Sequence, residues 1–297
     1  MRKEELKRKT SEDLLSILER YARFELREYV IVNPVVVELT LKSRLKELTD
    51  EQLVEVMKLL WKLGLTSSKA LPKLVKELSA PQRWTAMSPS ILAEALTALC
   101  WLQYPDQHVF SEICLKITSE ASLQELELSQ IISILQSLKP SFVASEYTEK
   151  LVRRLCEKKV YLEDYQLVDL VQFHVNFGLR NEAQIKECLD ELTHPGRLSR
   201  LTLKDVAITL ESVIALGLQE LDHVPELVKT LDDPILLRHC RAHYVAKTVI
   251  CLCRLGKGYK GKATELVDKL VEPPWSEEIA EKDLTEVLKV VKGVGYE

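Results

Sequence analysis

Apolar residues along this 297-residue chain return at helical spacing, and the phrases that carry them repeat. "SVIALGL" (212–218) has near copies in "LLWKLGL" (59–65), "HVNFGL" (174–179) and "CLCRLGK" (251–257), and the chain closes on "VVKGVGYE" (290–297). Alignment on the glycine of "ALG" sets eight anchors: Glu25, Gly64, Gln103, Lys139, Gly178, Gly217, Gly256 and Gly295. Successive anchors stand 39 residues apart, except for 36 between Gln103 and Lys139. The exception places a three-residue deletion in the connection "SEASLQ" (119–124), where a loop shortens and the helices stay whole.

The residues before the anchors carry the argument. One position before stand Phe24, Leu63, Leu102, Leu138, Phe177, Leu216, Leu255 and Val294. Seven before stand Leu18, Met57, Leu96, Ile132, Val171, Leu210, Val249 and Leu288; eleven before stand Leu14, Leu53, Leu92, Leu128, Leu167, Val206, Val245 and Leu284. With a mostly apolar column four before, these positions form one apolar stripe along a helix. Glycine at the anchor suits a left-handed residue ending that helix, because it has no Cβ to clash. A second helix follows, as in "SKALPKLVKEL" (68–78) and "AQIKECLDEL" (183–192). Thr49 with Gln52 reads as a capping box, and Pro89 fits a first helical turn. A unit this small cannot bury its stripe alone, so neighbours must stack. The pattern predicts an all-α chain: one helical-repeat domain over 1–297, an α-solenoid of about seven helical hairpins with a 39-residue period.

Composition agrees with helix, since only 9 glycines and 11 prolines leave few turn residues for a large sheet. No apolar run approaches the roughly 20 residues that span a bilayer. The N-terminal "MRKEELKRKT" lacks an apolar segment, and its two glutamates disfavour a transit peptide. Seven cysteines, an odd number at mostly helical positions, read as reduced buried thiols, which implies the cytosol or an organelle matrix.

Net charge is −4, so nothing pulls the whole molecule toward nucleic acid. Locally the picture changes. Residues 238–262 hold Arg238, Arg241, Lys247, Arg254, Lys257, Lys260 and Lys262 with no Asp or Glu; residues 56–76 hold Lys58, Lys62, Lys69, Lys73 and Lys76, again with none. A third basic cluster lies at 150–159, and residues 205–233 carry seven acids against Lys229. These runs read either as ordinary solvated helix faces or as basic repeats that face phosphate. On the second reading the RNA contacts are Arg238, Arg241, Lys247, Arg254, Lys257, Lys260 and Lys262, with a second set at Lys62, Lys69 and Lys73. Outward columns nine, six and two before the anchor carry variable polar residues, among them Glu94, Thr97, Trp101, Gln130, Ser133, Gln172 and Asn176. One-base-per-repeat recognition uses such positions, and any exposed helix shows them too.

Site chemistry is thin. "GKGYKGKA" (256–263) has the glycines of a nucleotide loop, but a helix precedes it where a strand is required, so it reads as an inter-helix turn. His239, His243, Cys251 and Cys253 are zinc-ligand types whose helical spacing keeps them from one tetrahedron. No nucleophile, base and orienter converge. The expectation is no catalytic residue, no metal, no cofactor and no small-molecule substrate.

The period departs from the 34-residue tetratricopeptide and 33-residue ankyrin patterns. "LTDEQLVEVMKLLWKLGL" (48–65, with Trp61), "MSPSILAEALTALCWLQY" (87–104, with Trp101) and "LTLKDVAITLESVIALGL" (201–218) resemble the long helix of octotricopeptide and heptatricopeptide repeat proteins. These are organellar RNA-binding chains related to FAST-kinase-like and RAP-domain proteins; no RAP-like domain is visible here. The resemblance implies a non-enzymatic, RNA-associated protein of an organelle. The mitochondrion comes first, with chloroplast or cytoplasm as alternatives. The partners implied are rRNA or mRNA and the other proteins of a large complex such as a mitochondrial ribosome. The alternative is a protein–protein scaffold without RNA contact, which the net charge fits.

Overall fold

A computed structural model describes residues 3–139, 145–238 and 240–293. Among these residues the chain is all-helical, with no strand. Packing divides it into two compact units, Met1–Leu151 and Val152–Glu297. The long helices of the first are α2 (Ser11–Arg23), α5 (Asp50–Lys62), α8 (Pro89–Trp101) and α11 (Leu128–Ser137), after a short α1 (Lys3–Lys7). Each of the first three is followed by a second helix: α3 (Tyr29–Leu39), α6 (Leu71–Leu78) and α9 (Gln107–Ile117). A short third helix then closes each: α4 (Lys42–Glu47), α7 (Pro81–Ala86) and α10 (Glu120–Glu125). Helix α12 (Ser145–Glu157) follows α11, and its last residues belong to the second unit.

The second unit keeps this plan. Its long helices are α13 (Asp164–Asn176), α16 (Leu203–Leu216), α19 (Ala242–Leu255) and α22 (Glu281–Gly293). Between them lie α14 (Glu182–Leu192) with α15 (Pro195–Leu198), α17 (His223–Lys229) with α18 (Pro234–Leu237), and α20 (Lys260–Leu270) with α21 (Trp275–Glu278). Within each unit every long helix packs on the next, α2 on α5 on α8 on α11, and α13 on α16 on α19 on α22. The element between them is thus more than a hairpin, since a third helix occupies what reads as a bare connection.

The long helices begin at Ser11, Asp50, Pro89, Leu128, Asp164, Leu203, Ala242 and Glu281, which are 39 apart except for 36 between Leu128 and Asp164. This corrects the position of the deletion. The stretch 119–124 is full length and forms α10, whereas the third helix after α12 shrinks to a 3₁₀ turn, Lys159–Tyr161. Helix α11 has 10 residues against 13 in α5 and α8, with Pro140 next but two in sequence after its last residue. A proline bars the residue before it from helical geometry, so the long helix stops early. Its premature end mimics an anchor at Lys139. Counted from helix starts, Ile131 and Leu135 take the places of Leu53 and Met57, and all four are buried. The corresponding anchor falls at 142, outside the described residues.

Five of the eight anchors do what the sequence pattern asks, and Gly295 lies outside the described residues. Gly64, Gly178 and Gly217 have φ of 73°, 66° and 76°, and Glu25 and Gln103 adopt the same left-handed conformation at 53°. In each case the following amide reaches back to the helix, as Leu65 N does to the Leu60 carbonyl at 2.8 Å and Tyr104 N to that of Leu99 at 3.1 Å. This is the paired bonding that satisfies orphan carbonyls at a helix end. Gly256 differs, at φ 106° and ψ −170°. At the other end, Thr49 Oγ1 accepts from Gln52 N at 3.2 Å and Gln52 Oε1 from Thr49 N at 3.0 Å, completing the capping box.

Burial follows the columns through most of the long helices and fails at Phe24, which caps α2, and in α22. Leu14, Leu18, Leu53, Met57, Leu92, Leu96, Leu167, Val171, Val206, Leu210, Val245 and Val249 are buried. Phe24, Leu284 and Leu288 are exposed. Helices α2 and α22 each have one long-helix neighbour among the described residues, so part of their stripe finds no cover.

A contact that the apolar pattern does not announce joins successive repeats. Arg83, on α7, sends its guanidinium to the carbonyl of Leu48 at 2.8 Å, to Asp50 at 2.7 Å and to Glu77 at 3.4 Å. Arg197, on α15, repeats it with the Leu162 carbonyl at 2.8 Å and Asp164 and Glu191 at 2.9 Å. Arg44, on α4, meets the Lys9 carbonyl at 2.8 Å and Glu38 at 3.2 Å. In each case the carbonyl lies 35 residues back, in the turn before a long helix, and the glutamate lies 6 back. The planar fork, which places several donors at fixed angles, makes arginine suited to tie a short helix to that turn. On α21, Trp275 Nε1 takes the same role toward the Cys240 carbonyl at 3.2 Å, again 35 residues back.

Candidate nucleic-acid interface

Two sets of basic residues answer to the sequence reading, and their surroundings differ. Lys62 is exposed in the last turn of α5, where a cation is favoured by the carbonyl end of the helix. Lys69 and Lys73 are exposed after the Gly64 cap, and both line a cavity of about 440 Å³. Tyr29, Asn33 and Thr66 share that cavity. None of the three lysines has an ion-pair partner among the described residues. Beside Lys62 in sequence, Trp61 stacks on Trp101 with centroids 4.6 Å apart and planes at 24°. Both indoles keep more than a third of their surface open.

The 238–262 segment is different. It contains no acid of its own, yet folding brings acids to it. Lys247 meets Glu211 at 2.6 Å, Arg254 meets Glu286 at 3.3 Å, and Lys262 meets Asp232 at 2.6 Å and Glu265 at 2.8 Å. Two of these acids, Glu211 and Asp232, come from the acidic stretch 205–233. Adjacent runs of opposite sign therefore neutralise each other between neighbouring repeats, and the expectation that this segment meets no acid is corrected. Arg238, Arg241 and Lys257 are exposed without an ion pair among the described residues, and Lys260 is exposed at the start of α20. Arg241 lines a second cavity of about 450 Å³ with Arg200, Lys204 and Tyr244. In the 150–159 cluster Lys159 is held by Glu187 at 2.8 Å and Arg154 by Glu157 at 3.5 Å.

Part of the outward columns does converge. Lys58, Glu94, Thr97, Trp101, Gln130 and Ser133 surround one cavity of about 240 Å³. Several of its polar groups already have partners: Lys58 binds Glu94 at 2.6 Å, Gln130 donates to Ser90 at 2.6 Å, and Thr97 donates to the Ala93 carbonyl at 3.0 Å. Ser133 likewise donates to the Ser129 carbonyl at 2.8 Å, and what stays open is the part of the Trp101 indole that its stack on Trp61 leaves uncovered. Gln172 is half-buried and Asn176 exposed on α13, in the other unit.

The other motifs resolve into structure. After Gly256, residues Lys257–Tyr259 form a 3₁₀ turn between two helices. His243 binds Asp283 at 2.8 Å, and the Cys251 thiol points to the Ala207 carbonyl at 3.9 Å. His239 lies outside the described residues. Among the described residues no three His, Cys, Asp or Glu side chains are grouped to hold a metal ion. No described helix is long and apolar enough to cross a membrane. No protein-family model matches the chain, and a search of curated proteins returns no significant match.

Proposed function

We propose that the chain is an α-solenoid of 39-residue units that binds single-stranded RNA through its first unit. The unpaired lysines Lys62, Lys69 and Lys73 beside the exposed Trp61–Trp101 stack carry this reading. Cations supply the backbone contact and indole faces the stacking that single-strand binders combine. The stacking of long helices and the 35-residue arginine contact support the solenoid. In the second unit the contact set contracts to Arg238, Arg241 and Lys257, because Lys247, Arg254 and Lys262 hold acids. The likeness to octotricopeptide-type repeats supports an organellar setting, with a mitochondrial ribosome or its RNA as partner.

Anisotropy binding to several single-stranded RNAs at stepped salt tests it. The Lys62→Ala/Lys69→Ala/Lys73→Ala variant should weaken binding across all sequences alike, since phosphate contacts carry little base information. It should lower the log–log salt slope by about 2, at roughly 0.7 per single-strand contact. The Arg254→Ala/Lys262→Ala variant should change it little. A second reading is a protein scaffold, favoured by the exposed Phe24, Tyr29, Val30 and Ile31 around the start of α3. Absence of RNA binding at low salt would move the assignment there.

A further inference from the structure

Seven cysteines lie in the chain, and two of them meet. Cys156, near the end of α12, and Cys188, within α14, are buried with their sulfurs 3.8 Å apart, in hydrogen-bond contact. We propose that Cys156 and Cys188 are a reversible dithiol–disulfide site within the second unit, oxidised by peroxide. A disulfide needs its sulfurs at about 2.05 Å, so the pair must close by a little under 2 Å.

The surroundings differentiate the two thiols. His174 of α13 is fully buried, and its Nδ1 lies 2.9 Å from the Leu170 carbonyl. A carbonyl only accepts, so Nδ1 carries the proton and Nε2 presents a lone pair. That Nε2 is buried without a hydrogen-bond partner in the resting fold, so its lone pair is free to take a proton. The hydrogen bond from Cys188, followed by the His174 imidazole and the charge of Lys159, draws the Cys156 thiol below its ordinary range against the opposing effect of burial. The same pairing and burial push Cys188 up. Cys156 is therefore the attacking sulfur and Cys188 the resolving one. Elsewhere burial is the main influence and pushes the thiols up, Cys100 to about 11 and Cys114 and Cys251 to about 12.

The steps balance. His174 Nε2 accepts the Cys156 proton, and the thiolate attacks one peroxide oxygen. The O–O bond breaks, and the departing hydroxide takes that proton back and leaves as water. Cys156 is then a sulfenic acid. The Cys188 thiol attacks its sulfur, the S–S bond forms as the S–O bond breaks, and the oxygen leaves with the Cys188 proton as a second water. Two electrons pass from the two sulfurs to one peroxide, and a dithiol reductant reverses the change by exchange. The bridge would tie α12 to α14 across the turn Lys159–Tyr161, where the third helix is shortened. Closing that loop should raise Tm by about 5–10 °C.

The test uses the whole folded protein, dilute hydrogen peroxide and non-reducing peptide mapping. Exposure alone would make Cys240 react first, since it is the one cysteine that is not buried. The expected result is a 156–188 linked peptide that appears before Cys240 is consumed and disappears with dithiothreitol. Cys188→Ser should halt at a Cys156 sulfenic acid captured by dimedone, and His174→Phe should slow linkage at least tenfold. Oxidation of Cys240 while Cys156 and Cys188 stay alkylatable after unfolding would overturn the proposal. So would a link that forms only in urea. The wild-type mapping decides the matter even where a variant does not fold, and RNA binding has no part in it.

Discussion

At the scale of single residues, backbone conformation at the anchors makes a quantitative claim. Gln103 and Glu25 sit at φ 53°, where a Cβ crowds the following carbonyl at a cost of about 1 kcal/mol. Gln103→Gly should therefore stabilise the protein by about 0.5–1 kcal/mol, read as a higher urea midpoint at constant slope. Gly217→Ala should destabilise by about 1 kcal/mol through backbone strain alone, since an added Cβ would meet nothing within 4 Å. Arg197 is held by two carboxylates and by carbonyls of the preceding repeat while only 14% of its side chain is exposed. Arg197→Ala should cost about 2 kcal/mol, because it takes the guanidinium from Glu191 and the Leu162 carbonyl, while Asp164 keeps Arg200 at 3.0 Å. Arg197→Lys should recover only a minor part, as a point charge cannot reproduce the fork. A loss under 0.5 kcal/mol for the alanine variant would show that water replaces the guanidinium without penalty.

Elements tolerate change unequally, and the natural deletion shows where. Three residues are missing from a third helix at Lys159–Tyr161, while the flanking α12 and α13 keep 13 residues each. A third helix is short and has little buried surface, and α10 lacks even the arginine that ties down α4, α7 and α15, so it can shorten without turning a buried face outward. Removing residues 122–124 from α10 should accordingly leave far-UV helicity nearly intact and lower Tm by only a few degrees. Removing residues 95–97 from α8 should unfold the first unit, because three residues are not a whole turn and Leu99 would rotate off the core. Equal melting temperatures for the two deletions would contradict this ranking of elements.

For the whole molecule, the net charge of −4 conceals how charge is spent: basic and acidic runs of adjacent repeats pair, as Lys247 with Glu211 and Lys262 with Asp232 show. What remains for a polyanion is local. The three lysines of the first unit contribute about −2 to the salt slope, so by themselves they should make a fourfold rise in salt weaken RNA binding roughly twenty-fold. Titrations at 50 and 200 mM salt check this, and a slope above about 6 would mean that the paired residues of 238–262 also engage phosphate.

The sequence by itself determined the all-α class, the helix ends and most of the buried stripe. These depend on interactions a few residues apart: apolar spacing at i, i+4 and i+7, a glycine with φ above zero, a threonine capping box. Lys62, Lys69 and Lys73 were legible as exposed cations for the same reason. Only the tertiary structure decided where the deletion falls, because a helix stopped early before Pro140 looks, along the chain, like a repeat that is three residues short. It alone decided that the 238–262 charges are partly neutralised, that Arg44, Arg83 and Arg197 occupy one role, and that Cys156 meets Cys188. Those outcomes depend on groups some 30 to 40 residues apart, whose meeting is set by how one helical unit packs on the next.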